Sequence, residues 1–140
     1  MINAAEAPPK FVHRVFLAAG IYGLIVVTPL YFLEGQIAKQ APPAITHPEF
    51  FYGFAGITLA WQLLYLVIAR DPVRFRPMML LGALGKASYA TAAVVLFAQH
   101  RLAASTFGVS MVDWIFATLF LASYGGTGGA EGRREGREAV

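Results

Sequence analysis

Two charged side chains stand where charge is expensive. Lys86 and Asp113 each interrupt an apolar run long enough to cross a bilayer. A charge at the bilayer centre costs about 2.5–3.5 kcal/mol on insertion scales, so such residues usually face a bundle interior and pair. At about 1.5 Å per helical residue, Lys86 lies about 12 Å from the end of its run at residue 78, and Asp113 about 16 Å from the end of its run at residue 124. Antiparallel neighbours would bring the two within about 5 Å in height, a gap that a lysine side chain covers. The same arithmetic adds Gln62 and Tyr22, each about 10 Å deep. It also adds Tyr89, which follows Lys86 by three residues and shares its helix face. One layer would then hold a polar group from every span. Three chemistries fit it: an ion pair that fixes helix register, a polar-lined ligand pocket, or a proton or ion path. A path would favour several carboxylates at successive depths, and the spans hold only Asp113.

A second constellation is Glu34, His47 and Glu49, with His100 on the same expected side. Gathered together, these would be a metal or catalytic site. Their spacing matches no standard ligand pattern, and Thr46-x-x-Glu49 reads as a capping box with Pro48 in the first helical turn. No metal and no cofactor are expected. A third group, Arg70, Arg74 and Arg76, flanks a short loop. These arginines are expected to anchor to anionic headgroups or to form a specific site for an acidic lipid or protein.

The elements that must position these residues follow from composition. Of 140 residues, 57% are apolar and only 14% charged, against about 45–50% apolar in a soluble domain. That excludes a disordered chain, a nucleic-acid-binding domain and an ordinary soluble enzyme. Nucleic acid is not an expected partner; the lipid bilayer is. Apolar runs at 15–33, 50–69, 78–98 and 106–124 are each long enough to span the hydrocarbon as a helix. Helices are required because the bilayer offers no water to open backbone groups. The expected fold is therefore all-α: a polytopic membrane protein with four transmembrane helices in an antiparallel bundle over 15–124. A cytoplasmic segment, 1–14, precedes it. A disordered cytoplasmic tail, 125–140, follows, with Gly125-Gly126-Thr127-Gly128-Gly129 as a flexible linker. The first run is too long for a signal-peptide core and has no cleavage site after it, so it is expected to remain as a span. Pro29 is expected to kink it.

Charge sets the direction. Lys10, Arg14, Arg70, Arg74, Arg76, Arg133, Arg134 and Arg137 share one side of a four-span chain, and only Lys39 and Arg101 lie on the other. Eight against two places both termini in the cytoplasm. The long loop 34–49 then lies outside. Ala19/Gly23, Gly56/Ala60 and Ala83/Ala87 have the spacing of close helix packing, within the bundle or across a homodimer. The chain has no cysteine, which removes disulfides, thiolate metal sites and cysteine nucleophiles. Gly108-Val109-Ser110 begins like a nucleophile elbow but lacks its second glycine.

On length, span count and a polar or aromatic residue in each span, residues 11–124 resemble small bacterial four-helix membrane proteins of the DoxX-like group. The segments His47-Pro48-Glu49-Phe50-Phe51-Tyr52-Gly53-Phe54 and Arg70-Asp71-Pro72-Val73-Arg74 look like a family signature. The architecture is also similar to eukaryotic four-helix sterol-isomerase and sterol-binding proteins, which hold acidic groups in a lipophilic pocket. Neither resemblance carries a catalytic residue onto this chain. The first implies a bacterial inner-membrane protein. Three functions are expected to compete. One is an accessory or lipophile-binding protein whose partner is a lipophilic small molecule or another membrane protein. The others are a small membrane enzyme acting on a lipid-like substrate and a homodimeric transporter.

Overall fold

The computed structural model describes residues 10–40 and 44–138, with side chains described through residue 128. Residues 1–9 of the expected N-terminal segment, the stretch 41–43 in the long loop and the last two residues of the expected tail lie outside the described residues. Five helices follow in order: α1 (Lys10–Val27), α2 (Leu30–Gln40), α3 (Pro48–Arg70), α4 (Arg76–Ala98) and α5 (Ala104–Glu138). No strand occurs among the described residues. Four helices, α1, α3, α4 and the Ala104–Gly128 part of α5, are long and apolar enough to cross a membrane. The all-α four-span fold is thus the one the apolar runs require.

The first span differs from its expected bounds. It begins at Lys10 and stops at Val27, short of residue 33. Pro29 does more than kink it. Proline has no N–H to donate and its ring crowds the preceding turn. The last α-type bond runs from Thr28 N to Leu24 O (3.1 Å), and the chain re-enters helix through tighter bonds from Tyr31 N to Thr28 O (3.3 Å) and Phe32 N to Pro29 O (2.9 Å). Residues 30–40, expected as the end of the span and a loop, form α2, which has no fully buried residue.

The fourth span also differs. The expected disordered tail is corrected in its backbone: α5 continues past Tyr124 to Glu138. Each glycine costs a helix about 1 kcal/mol relative to alanine, but side-chain contacts offset this locally. Thr127 is fully buried and its hydroxyl donates to Ser123 O (3.1 Å) and Tyr124 O (3.0 Å). Arg76 of α4 lies on the Tyr124 ring at 3.8 Å and donates Nε to Tyr124 O (3.1 Å).

Helix α1 packs along α3, α4 packs along α5, and α1 also touches α5. The α3–α4 connection is short, as expected: Arg74 N donates to Asp71 Oδ1 (3.1 Å), Phe75 N donates to Asp71 O (3.2 Å), and a proline opens α4. At this end the bundle is closed. Phe16 of α1 stacks on Phe120 of α5 (centroids 4.2 Å apart), and Tyr65 of α3 meets Phe120 edge-on (4.9 Å). Aromatic pairs of this kind contribute about 1 kcal/mol each beyond their buried area. Gly82 admits α4 to the cluster, because a Cβ there would stand 3.0 Å from the Tyr65 ring and 3.2 Å from Phe120. His13 Nδ1 lies 2.8 Å from Ala69 O and ties the start of α1 to the end of α3. Ala19 and Ala83, from two of the small-residue pairs, are buried in this core. Outward-facing Ile25, Phe32, Leu84 and Ile115 are all more than half exposed, as lipid-facing positions should be when lipid is as apolar as leucine.

Candidate functional site

Toward the end of the bundle that carries α2, the two helix pairs separate. Between them lies a cavity of about 730 Å³ to which all five helices contribute. Its floor rests on the aromatic cluster. Its walls are mostly apolar, with Val26 and Val27 from α1, Phe54 and Ile57 from α3, Ala92 from α4 and Val109 from α5. Leu30 and Ile37 of α2 line it at the far end. Gly85 lines it as well, and a Cβ added there would meet nothing within 4 Å.

The polar layer deduced from depth forms this floor. Lys86 Nζ donates to Asp113 Oδ1 at 2.6 Å, with side chains 12% and 17% exposed. The pair is therefore inside the bundle and still faces the cavity. The Lys86 ammonium also stands over the rings of Tyr65 (5.8 Å) and Phe116 (5.7 Å). Electron-rich ring faces favour a cation in a poorly solvated site. Neither charged head makes a second hydrogen bond among the described residues.

Tyr22, Gln62 and Tyr89 line the same cavity, but none of them hydrogen-bonds to the pair among the described residues. The Tyr22 ring leans on Phe116 (5.8 Å). Tyr89 lies about one turn from Lys86 toward α2 and accepts a hydrogen bond from Ser110 Oγ (3.4 Å). Gln62 is 1% exposed and donates Nε2 to Thr58 O one turn back (2.9 Å). Its Oε1 has no partner among the described residues. Gly23 makes room for this carboxamide, since a Cβ there would overlap it.

Sequence reasoning missed three floor residues: Tyr65, Ser110 and Thr58. A signal was present for all three. Tyr65 follows Gln62 by three residues, Thr58 precedes it by four and Ser110 precedes Asp113 by three, so each shares a helix face with a residue already singled out.

The outer-face candidates do not converge into one site. Glu34 Oε2 accepts from Tyr52 Oη (2.7 Å), and Tyr31 sits 5.9 Å from the Tyr52 ring, so Glu34 ties α2 to α3. His47 Nδ1 and Glu49 Oε1 are 3.3 Å apart and well exposed. No group of three or more His, Cys, Asp or Glu side chains able to hold a metal occurs among the described residues. The expected capping box is corrected: His47, not Thr46, is the N-cap of α3, and it makes no side-chain cap. Pro48 at the helix start has a fixed φ and no N–H to satisfy, which lets the helix begin one residue later without a box. Of the three loop arginines, Arg70 and Arg74 are exposed, while Arg76 is half-buried against α5. Comparison of the chain with models of protein families, with curated proteins and with solved structures found no match.

Proposed function

We propose that this four-span protein binds a lipophilic molecule in the cavity between its helix pairs. The observation that carries the reading is a space of about 730 Å³ with apolar walls and a charged pair on its floor. Small-molecule sites have this size and this division between apolar walls and a few polar groups. The ion pair alone would only fix helix register. A pair used only for that is best packed on every side, whereas this one borders open volume. The aromatic cluster closes the opposite end, which favours holding a molecule over passing it across. The bacterial inner membrane is the compartment implied by the DoxX-like resemblance, and the asymmetry of basic residues supports a cytoplasmic position for both termini.

Native mass spectrometry of the full chain, released from mild detergent, tests the reading. A lipophile retained at one per chain is expected. Gly85→Phe, which puts a ring into the cavity from a lining position where a Cβ meets nothing within 4 Å, should abolish that adduct and leave the thermal midpoint unchanged. A bare chain that stays bare with added lipid extract would overturn the proposal. A stable heteromer with an empty cavity would favour the accessory-subunit reading instead.

A further inference from the structure

We infer that the occupant of the cavity is a lipid alcohol: one hydroxyl on a long apolar body, seated with that hydroxyl against the Lys86–Asp113 pair. The inference rests on the cavity reading above and adds the chemical class of the molecule.

Charge gives the first argument. Among the described residues, Lys86 and Asp113 are the only Lys, Arg, Asp or Glu side chains lining the cavity, and at 2.6 Å they neutralise each other. A carboxylate or ammonium brought to this floor would add an unbalanced charge deep in an apolar medium, beside a partner already engaged. Lipids with charged heads keep those heads at the interface, away from a floor set within the span.

The unused hydrogen-bonding capacity gives the second. An ammonium has three N–H donors and Lys86 spends one on Asp113. The second carboxylate oxygen, Oδ2, makes no hydrogen bond among the described residues. Donor and acceptor therefore stand side by side, unspent, at the edge of a void. A hydroxyl answers both, its oxygen accepting from Nζ and its O–H donating to Oδ2. A carbonyl or ether oxygen only accepts and would leave Oδ2 unsatisfied.

The surroundings give the third. Tyr65 lines the same floor at 2% exposure, and its hydroxyl makes no hydrogen bond among the described residues, so a polar atom arriving there has a neutral partner as well as the pair. Away from the floor the lining is apolar on the α1, α2 and α3 side, with Val26, Val27, Leu30, Ile37 and Phe54, while Tyr89 and Ser110 on the other side are hydrogen-bonded to each other. One polar end and a long apolar body fit that order of surfaces.

The test uses the full chain in phosphatidylcholine nanodiscs with radiolabelled 1-hexadecanol, hexadecanoate, hexadecylamine and hexadecane. Saturable binding of the alcohol is expected, about tenfold or more tighter than each of the other three. The double variant Lys86→Met/Asp113→Asn should weaken alcohol binding by about tenfold and leave hexadecane unchanged. Equal or tighter binding of the acid, the amine or the alkane overturns the alcohol assignment, and so does unchanged alcohol affinity in the double variant. Gly85→Phe separates the two levels of the argument. If it removes the saturable binding of every probe, the cavity stands whichever head group wins. If no probe binds, or if Gly85→Phe leaves binding intact, the cavity reading falls and the alcohol falls with it.

Discussion

Replacing Lys86 or Asp113 alone leaves the other charge without its partner at a position 12% or 17% exposed. Breaking such a pair from one side costs about 3 kcal/mol or more, while replacing both members is often close to neutral. Lys86→Met and Asp113→Asn should therefore each lower the unfolding free energy in detergent by about 3 kcal/mol, and the double variant by much less. A loss in the double variant equal to the sum of the two single losses would mean that the pair contributes no coupling. Gly23 makes a different demand. Its missing Cβ is the space that the Gln62 carboxamide fills, so Gly23→Ala must push that amide off Thr58 O. A loss of about 1–3 kcal/mol is expected from such overpacking, read as a lower unfolding midpoint. The pair was legible from the sequence because two charges at matched depths leave few alternatives. The Gly23–Gln62 fit was not, because nothing in a Gly or a Gln states which helix will face it.

Among the elements, the end of α4 carries an unused margin. His100 closes that helix in a left-handed conformation, φ 56°, while Arg101 N reaches back to Leu96 O at 2.9 Å. Glycine adopts this geometry without the clash that an L side chain suffers, so His100→Gly should stabilise the protein by about 1 kcal/mol. A lower midpoint in thermal unfolding would contradict that. At α2 the restraint is the Tyr52–Glu34 hydrogen bond. Tyr52→Phe should speed hydrogen exchange over residues 30–40 and leave the amides of α4 and α5 unchanged. The existence of the spans could be read from run length alone. Their ends could not. Whether Pro29 bends a helix or breaks it depends on what receives the chain afterwards, and here α3 receives it through Tyr31, Glu34 and Tyr52. Whether glycines 125, 126 and 128 leave a helix depends on neighbours such as Arg76, which a local reading of composition cannot weigh.

For the molecule as a whole, the cavity was the feature least legible in the sequence. Composition reports what fills a bundle, not the volume left over where two helix pairs diverge. Direction across the membrane is open to a clean test because the chain has no cysteine. With the proposed orientation, His47→Cys should react with a membrane-impermeant maleimide on intact cells, and Val73→Cys only after the cells are opened. The aromatic closure of the bundle bears on how the protein is built. Phe120 sits in the last helix, yet its ring rests on Phe16 from the first and Tyr65 from the third. Those two can hold each other before Phe120 exists, but the cluster cannot close until α5 has been made. Assembly is therefore expected to dock the α1–α3 pair on the α4–α5 pair, with the Phe120 ring as the latch. A chain severed within 71–75 and expressed as two pieces should therefore reassemble in the membrane, and Phe120→Ala should prevent it.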